Sequence, residues 1–120
     1  MKTWINKAIA YLDKSLGKIP SELNEIDWKI TLSPNNDKLC KHIAAFANLP
    51  GGGFLVFGVD DKTGKVQGII KADADNIVEK LASLCRDGVD PLVSIDHSID
   101  TFRGEELLFV FIRECAIKPV

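Results

Sequence analysis

Two short runs constrain this chain more than anything else in it: Phe54 to Val59, FLVFGV, and Leu107 to Ile112, LLFVFI. Side chains along a strand point alternately to opposite faces. A strand that is apolar at both parities therefore needs cover on both sides and belongs at the centre of a sheet. Other segments alternate instead. Ile26, Trp28 and Ile30 alternate with Asp27, Lys29 and Thr31, and Val93, Ile95, His97 and Ile99 with Ser94, Asp96, Ser98 and Asp100. These read as half-buried strands, each with one wet face. The DDKTGK stretch is a turn, from which Val66 to Ile70 returns as a hairpin partner.

Three helical stripes accompany the strands. Ile5, Ile9, Leu12 and Leu16 fall at helical spacing within 3–16, with Gly17 as a C-terminal cap. Leu39, Ile43, Phe46 and Ala47 form a second stripe, with Asn36 or Asp37 as N-cap and an end near Asn48 and Pro50. Ile77, Val78, Leu81, Leu84 and Cys85 form the third, with Asp73 or Asp75 near its start and Gly88 after its end. Three helices interspersed with about five strands make a compact single-domain α/β (α+β) sandwich, with a mostly antiparallel mixed sheet, over 1–120.

The bulk properties narrow the function classes. A chain of 120 residues with 46% hydrophobic residues holds one modest core. The net charge of −2 weighs against strong non-specific nucleic-acid binding by this piece alone, while leaving room for a local basic stripe. No apolar run is long enough to cross a membrane, and the N-terminus lacks a small-residue cleavage site, so a cytoplasmic location is expected. Cys40, Cys85 and Cys115 are odd in number and widely spaced. They read as small buried residues in a reducing compartment. The chain stops soon after a strong strand, at Pro119-Val120, which points to the N-terminal piece of a longer protein.

The glycines Gly51, Gly52 and Gly53 invite a phosphate-loop reading, which fails on context. A dinucleotide fingerprint lies between a strand and a following helix, and here a helix precedes and a strand follows. A P-loop needs four residues between Gly and Gly-Lys, whereas Gly58 and Gly64 enclose five and Val66 follows Lys65. The three glycines are structural: they permit left-handed backbone angles and close approach at a helix-to-strand corner. Asn48, at the end of the helix, is expected to bond to nearby backbone.

The acids carry the chemistry on offer. Asp27 and Lys29 are two apart on a strand, on the face opposite Trp28 and away from the core that Trp28 fills. Glu22 precedes Asp27 by five residues, and Asp61 ends the central strand. Were the two strands neighbours, Glu22, Asp27 and Asp61 could converge beside Lys29. Carboxylate oxygens suit Mg²⁺ or Mn²⁺, and an adjacent cation suits phosphodiester cleavage. The alternative is that these acids merely decorate strand ends and turns. His42 reads as a partly exposed helix residue. His97 has core-face parity and reads as a hydrogen-bonded strand residue rather than a base.

The order E, DWK, AFAN, GG, LVFGVDD, V-x-G-I and FVFIRE running into KPV resembles the Schlafen/AlbA-type domain, also called divergent AAA. The resemblance covers nearly the whole chain from Glu22. It implies a compact α/β module of the kind found at the N-terminus of bacterial transcriptional regulators and RecG-like helicase-related proteins, with a winged-helix or ATPase-like segment downstream. DNA or RNA is then the partner, contacted by Lys29, Lys62, Lys65 and Lys71. In vertebrate Schlafens a related domain cleaves RNA, and its three acids match Glu22, Asp27 and Asp61 here. This sequence has Asp27 for the usual Glu, Trp28 for Phe, Leu49-Pro50 after the AFAN segment and one extra glycine. A non-catalytic dimerisation or sensory domain, forming a homodimer, is the third alternative.

Overall fold

The computed structural model describes residues 2–16, 25–87 and 93–115. The elements run α1 (Ile5–Ser15), β1 (Ile26–Lys29), α2 (Asn36–Asn48), β2 (Gly53–Phe57), α3 (Lys71–Asp87), β3 (Ile95–Phe102) and β4 (Glu105–Ile112). The expected caps Gly17 and Gly88, and the candidate acid Glu22, lie outside the described residues.

The strands form one mixed sheet in the order β1-β2-β4-β3. The two doubly apolar runs occupy the two central places, as their pattern requires. β1 pairs with β2 in parallel, with Asp27 opposite Leu55 and Lys29 opposite Phe57. β4 is antiparallel to both of its neighbours. The β3–β4 hairpin closes through Arg103 and Gly104, both at positive φ, which suits a two-residue turn between twisted strands.

Alternation along the strands sorts the core into two layers. Ile26, Trp28, Phe54, Val56, Leu107 and Phe109 pack with Trp4, Ile5, Ala8 and Leu12 of the N-terminal segment and α1. Leu55, Phe57, Leu108, Val110 and Ile112 pack on the opposite face with Leu39, Ile43 and Phe46 of α2 and Ile77, Leu81 and Leu84 of α3. α1 is tied down by polar bonds as well. The Trp28 indole donates to the Ser15 hydroxyl at 3.1 Å, which in turn donates to the Leu12 carbonyl. The Trp4 indole donates to Asp96 at 2.9 Å.

The glycine corner has a steric origin. Gly51 and Gly52 both sit at positive φ, +81° and +76°. A Cβ on Gly52 would stand 2.1 Å from the Ile112 carbonyl oxygen, and one on Gly53 would stand 1.9 Å from Phe46 Cδ1. The three residues thus let α2 turn sharply into β2 while β4 and the Phe46 ring press against the backbone.

Several details differ from the sequence reading. The N-cap of α2 is Asn35, whose side chain accepts from the Lys38 amide at 3.1 Å, in place of Asn36 or Asp37. The described residues hold four strands. The return segment reduces to one bridge, Val59 with Val66, because Gly68 at φ +86° turns the chain so that the Ile69 amide bonds to the Glu106 carbonyl. His97 is exposed, because the α2–α3 layer covers its face neighbours Ile95 and Ile99 only in part. Finally, the face of β1 opposite Trp28 is not wet: α2 lies over it, and Asp27 and Lys29 are only 18% and 21% exposed. Among the described residues, no helix is long and apolar enough to cross a membrane.

Candidate functional site at the end of the parallel pair

β1 and β2 run side by side and end at the same edge of the sheet. There the Lys29 carbonyl accepts from the amides of Gly58 and Val59, so the connection 58–70 starts directly beside Lys29. Strands covered on both faces leave only their ends free for chemistry, and ligands of parallel strands gather at carboxyl ends for that reason.

On β1, the Asp27 carboxylate takes the Lys29 ammonium at 2.9 Å. α2 brings the His42 Nε2 to 3.5 Å from the same oxygen. The His42 ring is stacked on Phe46, centroids 4.9 Å apart, so the aromatic that fills the Gly53 gap also carries the imidazole over the strand. His42 is the site residue that sequence reading missed. Its position three after Leu39 and four before Phe46 already placed it beside the buried stripe of α2.

The two aspartates at the end of β2 have different roles. Asp60 Oδ1 accepts from the amides of Lys62 and Thr63 at 2.8 and 3.1 Å. Those backbone bonds, Lys62 first, hold its carboxyl below the usual aspartate range. Asp60 therefore shapes the turn, further closed by Gly64 N–H to the Asp60 carbonyl. Asp61, next in the chain, is exposed. Lys62 and Lys65 are exposed along the same connection, and Lys71, exposed at the start of α3, pairs with Asp75 at 3.0 Å.

The structure thus unites Asp27, Lys29 and His42, and places Asp61 in the turn beyond β2. A hard cation takes six or more oxygen ligands. Among the described residues no three His, Cys, Asp or Glu side chains cluster as a metal would need. Asp27 already carries an ammonium and an imidazole.

A cleft of about 420 Å³ opens next to this edge. Ile30, Thr31, Ile69, Ile70, Asp73 and Asn76 are among its lining residues.

Comparison with known proteins agrees with this architecture. The N-terminal domain of an ATP-dependent DNA helicase RecG-related protein from Nitrosomonas europaea is similar, with 26% identity and a TM-score of 0.66. The match covers 89% of this chain and 72% of that one. The DIP2311 protein from Corynebacterium diphtheriae shares the fold at 22% identity and a TM-score of 0.60 over 98% of this chain. This chain spans only 24% of that protein's length. No curated protein matches. The family described as Schlafen, AlbA_2 matches residues 22–120. Together with the RecG-related neighbour, that match supports a nucleic-acid-related role at the level of the family. On the order of its motifs and the extent of the match, the chain belongs to the Schlafen, AlbA_2 family.

Proposed function

We propose that this domain binds nucleic acid, DNA in the first place, as the N-terminal module of a bacterial transcriptional regulator or RecG-like helicase-related protein. The observation that carries the reading is the connection 58–70 with the start of α3, where Lys62, Lys65 and Lys71 stand exposed beyond the parallel pair. Lysines on an exposed loop meet phosphates without desolvating a buried charge, and each contact is modest and salt-sensitive. Lys29, held by Asp27, lies at the base of the same loop and would reach a phosphate only by leaving that carboxylate. The free cysteines fit a cytoplasmic setting.

Fluorescence anisotropy of duplex and single-stranded oligonucleotides between about 50 and 200 mM salt tests this. Binding should weaken steeply with salt. Replacing Lys62, Lys65 and Lys71 by alanine should lower the slope by about 2 to 3. A full-length protein that binds neither form at low salt removes the proposal.

One observation favours a second reading, a Mg²⁺- or Mn²⁺-dependent nuclease acting on RNA or single-stranded DNA. Asp27 and Lys29 pair half-buried beneath His42, which puts an oxygen ligand and a cation side by side. Glu22, Asp27 and Asp61 would hold the ion, and Lys29 would meet the developing phosphate charge. Cleavage with Mn²⁺ that disappears in Asp27→Asn supports it. Cleavage that survives the substitution, or never occurs, rejects it. Light scattering tests the remaining alternative of a homodimeric, non-catalytic domain.

A further inference from the structure

Among the described residues, two large apolar side chains stand exposed, Ile30 at 38% and Ile70 at 66%. Both line the same cleft of about 420 Å³, a size in the range of small-molecule sites. Its polar wall is α3, where Asp73 and Asn76 are three residues apart and so share one helix face about 5 to 6 Å apart at Cβ. Each exposed isoleucine is followed or preceded in the chain by a lysine: Lys29 before Ile30, Lys71 after Ile70.

The geometry points to this cleft as a pocket for one unpaired base of a single strand, with guanine preferred. This rests on the nucleic-acid reading above and gives it a substrate class. A splayed-out base needs apolar walls for its faces and hydrogen-bonding groups for its edge. Ile30 and Ile70 supply the walls. An ionised carboxylate only accepts, so Asp73 requires donors on the base edge. Guanine offers two adjacent ones, N1–H and the 2-amino group, one for each carboxylate oxygen. The Asn76 amide can then donate to O6. Adenine and cytosine offer Asp73 a single donor group. Uracil and thymine set carbonyl oxygens against it on either side of N3–H and are disfavoured. A paired base has its edge occupied, so duplex should not enter. Lys71, next to Ile70, meets a phosphate beside the base, whereas Lys29 stays with Asp27 on the opposite face of β1. Lys71 is released from Asp75 at small cost, since that pair is exposed.

The test uses single-stranded 12-mers of thymidine carrying G, A, C or T at one central position, with the matching duplexes as controls, read by anisotropy. Guanine should bind about fivefold or more tightly than thymine, the order of one bidentate contact. Asp73→Asn should erase that preference, and Ile70→Ser should weaken single strands while sparing duplex. Both side chains are exposed, so neither change threatens the core. Titration of guanosine monophosphate should shift the Asn76 side-chain amide and the Ile69 and Ile70 backbone amides. Equal affinity for all four bases, with shifts confined to Lys62 and Lys65, overturns the pocket and leaves nucleic-acid binding standing. Absence of binding to every oligonucleotide overturns both.

Discussion

Asp27 and Asp96 sit on the two edge strands of the sheet and are almost equally covered, their side chains 18% and 23% exposed. Their surroundings differ in the number of donors. Asp96 takes the Lys2 ammonium, the Trp4 indole at 2.9 Å and the His97 amide at 2.9 Å, with the Arg113 guanidinium at 3.8 Å. Two of those partners lie more than ninety residues earlier in the chain, so the carboxylate fastens the N-terminal segment to β3. Among the described residues, Asp27 has one lysine two residues away on its own strand and an imidazole at 3.5 Å. At equal burial, a carboxylate with its lone pairs filled is a fastener. One with few donors keeps capacity for a ligand.

Replacement at the two positions should break the symmetry most strongly. Asp96→Ala leaves Trp4 Nε1 without its acceptor and releases Lys2, and should cost about 2 kcal/mol in denaturant unfolding, the scale of hydrogen bonds to a charged group. Asp27→Asn should cost under about 1 kcal/mol, the scale of a partly exposed ion pair, while changing the response to nucleic acid or Mn²⁺. If Asp27→Asn destabilises as much as Asp96→Ala, Asp27 is a fastener too.

Acid titration sharpens the contrast. Partial burial pushes the Asp96 carboxyl upward, but the bonds from Lys2, Trp4 and the His97 amide outweigh it and hold the group at about 2. An unfolded aspartate titrates near ~3.9. The stabilisation is therefore complete above about pH 4 and is lost as the pH falls towards 2. The stability curve of Asp96→Asn should be flatter than wild type across that window.

The smallest expected effect concerns a group with burial and no compensating donors. Burial, helped by the nearby Cys40 thiol, pushes the Cys85 thiol up to about 11. A thiol reagent at about pH 8 should label half-buried Cys40 and Cys115 first and reach Cys85 only on unfolding. Rapid labelling of Cys85 in the folded protein would contradict its packing in the α2–α3 layer.

The fold was readable where one pattern decided it. FLVFGV and LLFVFI are apolar on both parities, and they became β2 and β4 at the centre of the sheet. Edges were harder. His97 has the same parity as Ile95 and Ile99, yet parity does not say how far the helical layer reaches over an outer strand: it covers both isoleucines only in part, and the ring is exposed. The pair Asp27 and Lys29 was legible from the spacing alone. That their face lies under α2 was not, because parity says which residues share a face and nothing about what covers it. His42 needed both pieces of knowledge, the helical stripe and the packing of that stripe over β1. The cleft beside α3 escaped for the same reason: Ile30 and Ile70 are 40 residues apart in the chain and meet only in the folded molecule.

The sheet order has a consequence for synthesis. β4 is the last described strand, yet it fills the gap between β2 and β3. While its residues are still inside the ribosome, β3 has no neighbour among the described strands and β2 has only β1. The nascent chain must hold two apolar surfaces apart from every other nascent chain in the cell until a single late segment slides between them. Any nick or premature stop before Glu105 should yield an unassembled, aggregation-prone polypeptide rather than a smaller working domain.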